Sequence, residues 1–154
     1  MFVSKCVAIF RETRSSEIFR HAVGIARQFN AKLHVITVFQ SRDLPLVSDF
    51  ISHEAQDKVH EESVGRLRAT LQARIEAFCA VYSDLDPHSV IASVQVLEGN
   101  ASRAILDTAK RIGAGLVVLG SHGHSPRGEM LAGSVAHKVT VNSDVPVLLV
   151  PINH

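Results

Sequence analysis

Apolar residues fall along this chain in two alternating rhythms. Residues 2–10, FVSKCVAIF, are β-branched and aromatic and read as a buried strand. Thr13, Ser15 and Ser16 then offer N-cap oxygens. Ile18, Ala22, Ile25, Ala26 and Phe29 recur at helical spacing with Glu17, Arg20 and Arg27 between them, which predicts an amphipathic helix. Asn30 follows as a left-handed stop. Residues 33–39 predict a second buried strand, and residues 40–53, with Pro45, a loop. A long helix is expected over 54–82, with Val59, Val64, Leu67, Leu71, Ile75, Phe78 and Tyr82 on its apolar side, ending in the turn-rich stretch 83–87. Residues 90–97 predict a third strand, Gly99 and Asn100 a turn and N-cap, and Ala101, Ala104, Ile105, Ala109 and Ile112 a helix that Gly113 and Gly115 break. The wholly apolar run 116–119 is a fourth strand. A glycine-bearing loop, a short helix near 133–142 and a last strand over 145–150, interrupted by Pro146, complete the pattern.

Strands therefore alternate with helices, and several strands are apolar at consecutive positions, as strands buried on both faces are. That combination predicts an α/β fold: a parallel sheet with helices on both faces and right-handed crossovers. No internal repeat, low-complexity tract or linker divides the chain, so residues 1–154 are expected to form one domain.

Composition narrows the function classes. The chain is 46% hydrophobic and 20% charged, enough apolar material for a real core. Its formal net charge is +1, from 16 basic and 15 acidic residues, and no basic block stands out. A nucleic-acid polymer is thus not an expected partner, and a nucleotide, if bound, is a small ligand. Cys6 and Cys79 lie far apart, form no CxxC pair and sit among apolar neighbours, as buried free thiols do. The opening MFVSKCVAIF has too short an apolar run for a signal peptide, and no stretch approaches the roughly 18 apolar residues of a membrane helix. A cytoplasmic protein without membrane insertion is expected.

The chemistry is carried by residues 120–134, GSHGHSPRGEMLAGS. In an open parallel sheet, ligands bind beyond the carboxyl ends of the strands, and this loop starts at such an end. Gly120 allows a tight turn after Leu119, and Gly123 allows positive φ or close approach of a phosphate. Gly133 stands at the start of the next helix, where Ser134 serves as N-cap or hydroxyl donor and the helix offers free amides and partial positive charge. The plain alternative is that the glycines only shape a loop. The third, spaced glycine followed by serine, between a buried strand and a helix, favours anion binding.

With those residues in view, the chain resembles the universal stress protein family of the ATP-binding type, whose motif is G-x2-G-x9-G-[S/T]. Gly120, Gly123, Gly133 and Ser134 match it in full. The likeness extends to Leu33-His34-Val35, the Val96-Leu97-Glu98-Gly99 turn, residues 116–123 and the closing Pro146-Val147-Leu148-Leu149-Val150-Pro151. It implies a five-stranded sheet of order 3-2-1-4-5, Rossmann-like and akin to the adenine nucleotide alpha hydrolases, with ATP held between the end of the first strand and the glycine loop. The implied nucleotide-binding set is Ala8, Ile9, Phe10, Val38, Leu119, Gly120, His122, Gly123, Gly133, Ser134 and Val135. The backbone around Val38 would face adenine. A divalent Mg²⁺ or Mn²⁺ would accompany the phosphates, since the loop brings little positive charge of its own. The resemblance also implies a homodimer through the last strand, 146–150. In one place the chain departs from the family, which usually carries an Asp at the end of the first strand. Here Phe10 stands there, followed by Arg11 and Glu12. Phe10 stacks on the base, or nucleoside affinity is lost, or Glu12 takes the Asp's place.

Other motifs weigh less. His122 and His124 form an HxH pair, but no cysteine completes a tetrahedral set and Glu129 is the one carboxylate in the loop, so a dedicated metal site is not expected. Arg127 closes over phosphates or is simply solvated. His53 and His60 are expected on the surface. No Walker GxxxxGK[ST], GxSxG or HExxH pattern occurs, and no evident general base stands beside the phosphates. The leading expectation is an ATP-binding, stress-response sensor or regulator with an unidentified protein partner. Its rivals are slow ATP hydrolysis or autophosphorylation at Ser121, Ser125 or Ser134, and a nucleotide-free dimeric partner-binding module.

Overall fold

The computed structural model describes residues 4–9, 15–40, 52–121 and 133–152. Five strands and four α-helices alternate: β1 (Lys5–Ile9), α1 (Ser16–Gln28), β2 (Lys32–Phe39), α2 (His53–Val81), β3 (Ile91–Glu98), α3 (Ala101–Ile112), β4 (Leu116–Gly120), α4 (Ser134–Asn142) and β5 (Val147–Val150). The strands form one sheet of order β3-β2-β1-β4-β5, and every neighbouring pair is parallel.

Side-chain alternation along each strand divides the core into two layers. Cys6 and Ala8 of β1, Leu33 and Val35 of β2 and Val118 of β4 pack with α1 and α2 on one face. Val7, Ile9, Ile36, Val117 and Leu119 pack with α3 and α4 on the other. This explains the unbroken apolar runs: in the central strands both sides of the pleat are interior. β3, at an edge, is only half-buried along its length.

Helix boundaries follow local chemistry. Ser52 Oγ accepts the Ala55 N–H at 3.3 Å to cap α2, and Asn100 Oδ1 accepts the Arg103 N–H at 3.1 Å to cap α3. At their C-termini, α1 and α3 end alike. Asn30 (φ 50°) and Gly113 (φ 67°) turn left-handed, and the next amides reach back, Ala31 to Ala26 and Ala114 to Ala109. Two short 3-10 turns, Ser83–Leu85 and Pro87–Ser89, lead into β3. There Asp86 (φ 47°) accepts an Arg27 Nη1–H at 3.2 Å, tying the turns to the end of α1.

The structure revises several expectations. Phe29 is 54% exposed, and Phe19 and Val23 complete the buried face of α1 instead. Ser15 is the N-cap of α1, but its side chain makes no cap hydrogen bond; Thr13 lies outside the described residues. On α2 the buried positions are Ser63, Leu71, Ile75 and Cys79, while Val59, Val64, Leu67, Phe78 and Tyr82 are half-covered. Phe78 and Tyr82 nonetheless meet Phe19 at ring-centroid distances of 5.4 and 6.3 Å. β5 begins at Val147 rather than 145, because Pro146 has no N–H for the ladder, although its carbonyl still accepts from Val117 N at 3.0 Å. Within the expected loop 40–53, residues 41–51 lie outside the described residues, and α2 already starts at His53.

Candidate functional site

β1 is the turning point of the sheet. The chain leaves it through α1 on one face to reach β2, and comes to β4, on its other side, through α3 on the opposite face. The crevice where ligands bind in such sheets lies at the carboxyl ends of β1 and β4. β1 ends at Ile9 and β4 at Gly120, both at this crevice. Phe10, His122 and Gly123 lie outside the described residues, as do Arg11, Glu12, His124, Ser125, Arg127 and Glu129.

The remaining named positions divide by what they can offer. Ala8, Ile9 and Leu119 are buried, with Ala8 in the α1/α2 layer and Ile9 and Leu119 in the α3/α4 layer. Their side chains build the core, which leaves only backbone to a ligand. Val38 is different. Along β2 the peptide groups alternate sides: Lys32 N donates to Ser4 O toward β1, and Leu33 N to Val90 O toward β3. Phe39, in phase with Leu33, turns its carbonyl to β3, where Gly99 N takes it at 2.9 Å. Val38, in phase with Lys32, therefore presents both N–H and C=O to the β1 side. The register of β1 with β2 ends at Ile9 and Ile36, two residues short of Val38 among the described residues. A donor and an acceptor thus project over the crevice.

The structure gives Gly120 a packing role besides the expected turn. Its φ is not positive, so no left-handed conformation calls for glycine there. A Cβ there would collide with Ile152 Cδ1 and lie 3.2 Å from Ile152 Cγ1 and 3.3 Å from Ile18 Cδ1. The missing side chain makes room for the segment after β5 against the start of α1. Ser134 also shifts role. Gly133, with φ −51° and ψ 153°, is the N-cap of α4, and Ser134 is an exposed first helical residue beside half-buried Val135. Glycine has no capping side chain, so the amino end of α4 opens on the crevice without an internal acceptor from its cap.

The loop's two stems are joined directly. Gly133 N donates to Ser121 O at 3.0 Å, and Ser121 N donates to Val150 O at 2.9 Å. Ser121 thus has a backbone role that its reading as a modification site did not anticipate. His60, expected on the surface, reaches from α2 to the rim of the sheet, with Nε2 3.1 Å from Glu98 Oε2 and its ring 6.3 Å from that of Phe39. No local signal marks that pairing, because it depends on how far α2 overhangs β3.

The surroundings of both thiols disfavour the thiolate. Burial pushes the Cys6 thiol up to about 11, and burial followed by the Glu76 charge raises Cys79. Both are free and buried. Among the described residues, no three His, Cys, Asp or Glu side chains cluster in a way that could hold a metal ion.

The model of the universal stress protein family matches residues 6–151, nearly the whole chain. The chain belongs to that family. Universal stress protein YxiE of Bacillus subtilis is 29% identical over 158 residues, covering 97% of this chain and 99% of the relative. Universal stress protein MJ0531 of Methanocaldococcus jannaschii is 30% identical over 136 residues, covering 88% and 74%. Among solved structures, MJ0577 superposes with a TM-score of 0.70 at 19% identity, over 100% of this chain and 99% of the other. A universal stress protein in complex with cAMP gives a TM-score of 0.61 at 20% identity, over 99% and 100%. These likenesses place the doubly wound sheet of this universal stress protein among known folds. No described helix is long and apolar enough to cross a membrane.

Proposed function

We propose that this universal stress protein binds an adenine nucleotide, ATP foremost, in the β1/β4 crevice and acts as a nucleotide-dependent sensor or regulator in the stress response. The observation that carries the reading is the phase of β2: Val38 N–H and C=O project over the crevice onto which the amino end of α4, with the side-chain-less Gly133 as its N-cap, opens. A vicinal donor and acceptor match the N1 and 6-amino edge of adenine, and a helix amino terminus suits phosphate. Relatives of the same fold have been solved with cAMP and with dAMP, which supports an adenine nucleotide as the ligand class.

In this reading Ala8, Ile9, Leu119 and Gly120 supply backbone walls, Val38 meets the base, and Gly133, Ser134 and Val135 meet the phosphates. Phe10, His122 and Gly123, on the segments between, complete the set. Since no cluster of metal-ligating side chains occurs among the described residues, Mg²⁺ or Mn²⁺ would be held mainly by phosphate oxygens.

β5 is the surface for a second copy. Val117 N donates to Pro146 O and Ser121 N to Val150 O, so by alternation Val147 and Leu149 turn their peptide groups to the open edge. Val141 of the neighbouring α4 is also 67% exposed. A two-fold pairing of β5 edges covers both. Free, buried thiols suit a reducing cytoplasm, and a regulatory protein partner would read the ligand state. Calorimetry of nucleotide-free protein with MgATP tests the core of the proposal. Saturable binding is expected, and no heat at millimolar ATP overturns it.

A further inference from the structure

The base of the glycine loop is bonded in series to the strand at the open edge of the sheet. Val150 O accepts the Ser121 N–H at 2.9 Å, Ser121 O accepts the Gly133 N–H at 3.0 Å, and Gly133 O accepts the His137 N–H at 2.9 Å. The backbones of Val150, Ser121, Gly133 and His137 are thus tied residue to residue, from the end of β5, through both stems of the loop, into the first turn of α4. A side-chain wedge lies beside them. Ile152, two residues past β5, fills the slot left by the absent Cβ of Gly120, with Ile18 of α1 as the far wall. Gly120 itself pairs with Val150 in the ladder.

This arrangement has little slack. Each backbone is held by the next, and a packed slot transmits displacement rather than absorbing it. Resting on the nucleotide reading above, we infer that β5 and residues 151–152 are the output surface of the ligand site. A ligand that fixes the stems of the loop and the first turn of α4 orders Val150 through the Ser121 N–H, and Ile152, seated against Gly120 and Ile18, holds the end of β5 where that bond can form. The outward peptide groups of Val147 and Leu149 then form a firmer template for a pairing strand. By linkage, pairing at β5 in turn favours the ligand-bound loop.

Amide hydrogen exchange, read residue by residue with and without MgATP, tests the inference. Leu148 and Val150 are the β5 amides in phase to face β4. In wild type, MgATP is expected to slow exchange at Ser121, Gly133, Leu148 and Val150 by about tenfold beyond any slowing in β3, the opposite edge, which reports global stabilisation. In Ile152→Ala the slowing should persist at Gly133 and disappear at Leu148 and Val150. Ile152→Val, a milder change should the first variant fold poorly, should reduce it partway. Slowing confined to Ser121 and Gly133 in wild type, or retained in full at β5 in both variants, overturns the coupling. Calorimetry on the same samples separates the causes. Binding heat without slowing in β5 removes the coupling alone, whereas no heat removes the nucleotide reading and the coupling with it.

Discussion

Two glycines bracket β4, and they are there for opposite reasons. Gly113 ends α3 at φ 67°, with nothing within 4 Å of where a Cβ would stand. Gly120 ends β4 without a positive φ, but its missing Cβ is the space that Ile152 occupies. At the amino end of the strand the demand is conformational, and it comes from the helix just before. At the carboxyl end the demand is spatial, and it comes from a side chain 32 positions later. The end that only shapes the chain is self-contained. The end that opens on the candidate site is locked to α1 through Ile18 and to the segment after β5.

The largest effect expected from this contrast is at Gly120. Gly120→Ala forces the end of the Ile152 side chain out of its slot and should cost on the order of 1–3 kcal/mol as an overpacking change. Thermal unfolding would read this directly, as a fall in Tm of roughly 2–10 °C. Adding Ile152→Ala should recover part of the loss, so that the double variant is more stable than the sum of the single changes predicts. Simple additivity would break the contrast, because Gly120 would then matter for something other than Ile152.

Gly113 should behave differently. An L-residue in the left-handed region costs roughly 1–2 kcal/mol, and with open space around it no partner substitution can relieve that cost. Gly113→Ala should therefore destabilise by about that amount, and Gly113→Asn by less. The same chemistry already operates at the end of α1, where Asn30 holds φ 50° in the equivalent place. If Ala and Asn at position 113 cost the same, backbone conformation is not the reason for the glycine.

The contrast also explains how far the sequence could be read. Signals contained within one turn of the chain were legible. Asn30, Asn100 and Gly113 act as stops and cap at their expected places, and the apolar runs of β1, β2 and β4 marked a doubly buried parallel sheet. The G-x2-G-x9-G-[S/T] spacing led to the family that residues 6–151 match. What stayed hidden depends on distant packing. Helical spacing pointed to Phe29, yet the helix turns left-handed one residue later and leaves it exposed. The glycine motif pointed to Gly120 at the end of β4, but not to Ile152, which occupies the space its absent Cβ leaves. Nothing local announces that Ser121 joins Val150 to Gly133, because that requires knowing that β5 ends beside β4. At the candidate site, the backbone around Val38 was expected to face adenine; what turns its N–H and C=O to the β1 side is ladder phase, a property of three strands together.

Asn100 sharpens the comparison from the other end of α3. Its side chain accepts the Arg103 N–H at 3.1 Å and also the Ser102 hydroxyl at 2.8 Å. Asn100→Ala removes that cap and should cost about 1 kcal/mol. Asn100→Asp or Asn100→Ser should retain most of the stability in thermal melts. Like Gly113, this is a local device, and its effect should add to that of Gly113→Ala, since the two lie at opposite ends of α3 and share no hydrogen bond. Non-additivity beyond about 0.5 kcal/mol would mean that α3 is cooperative end to end.

The smallest effect concerns a group that the crevice does not use. His34, in the middle of β2, sits with Nδ1 2.8 Å from Ser93 Oγ, and Gln95 Nε2 donates to the same hydroxyl at 3.2 Å. Burial, and then the charges of Lys5 and Arg111, lower its pKa. The fold thus favours the neutral ring. With a folded pKa below the unfolded value of about 6.5, the unfolded chain takes up the proton first. Stability should be level above that value and decline as pH falls from about 6.5 toward the lower folded pKa. His34→Gln keeps a side chain able to bond Ser93 but removes the titration, so its stability should be lower at neutral pH yet flatter across this window. Denaturant midpoints measured between pH 7 and pH 5 decide the point. Equal slopes for wild type and His34→Gln would assign the acid sensitivity to other groups. A steeper wild-type slope would show that this part of the sheet, unlike the packed slot at Gly120, is governed by the cost of burying a charge.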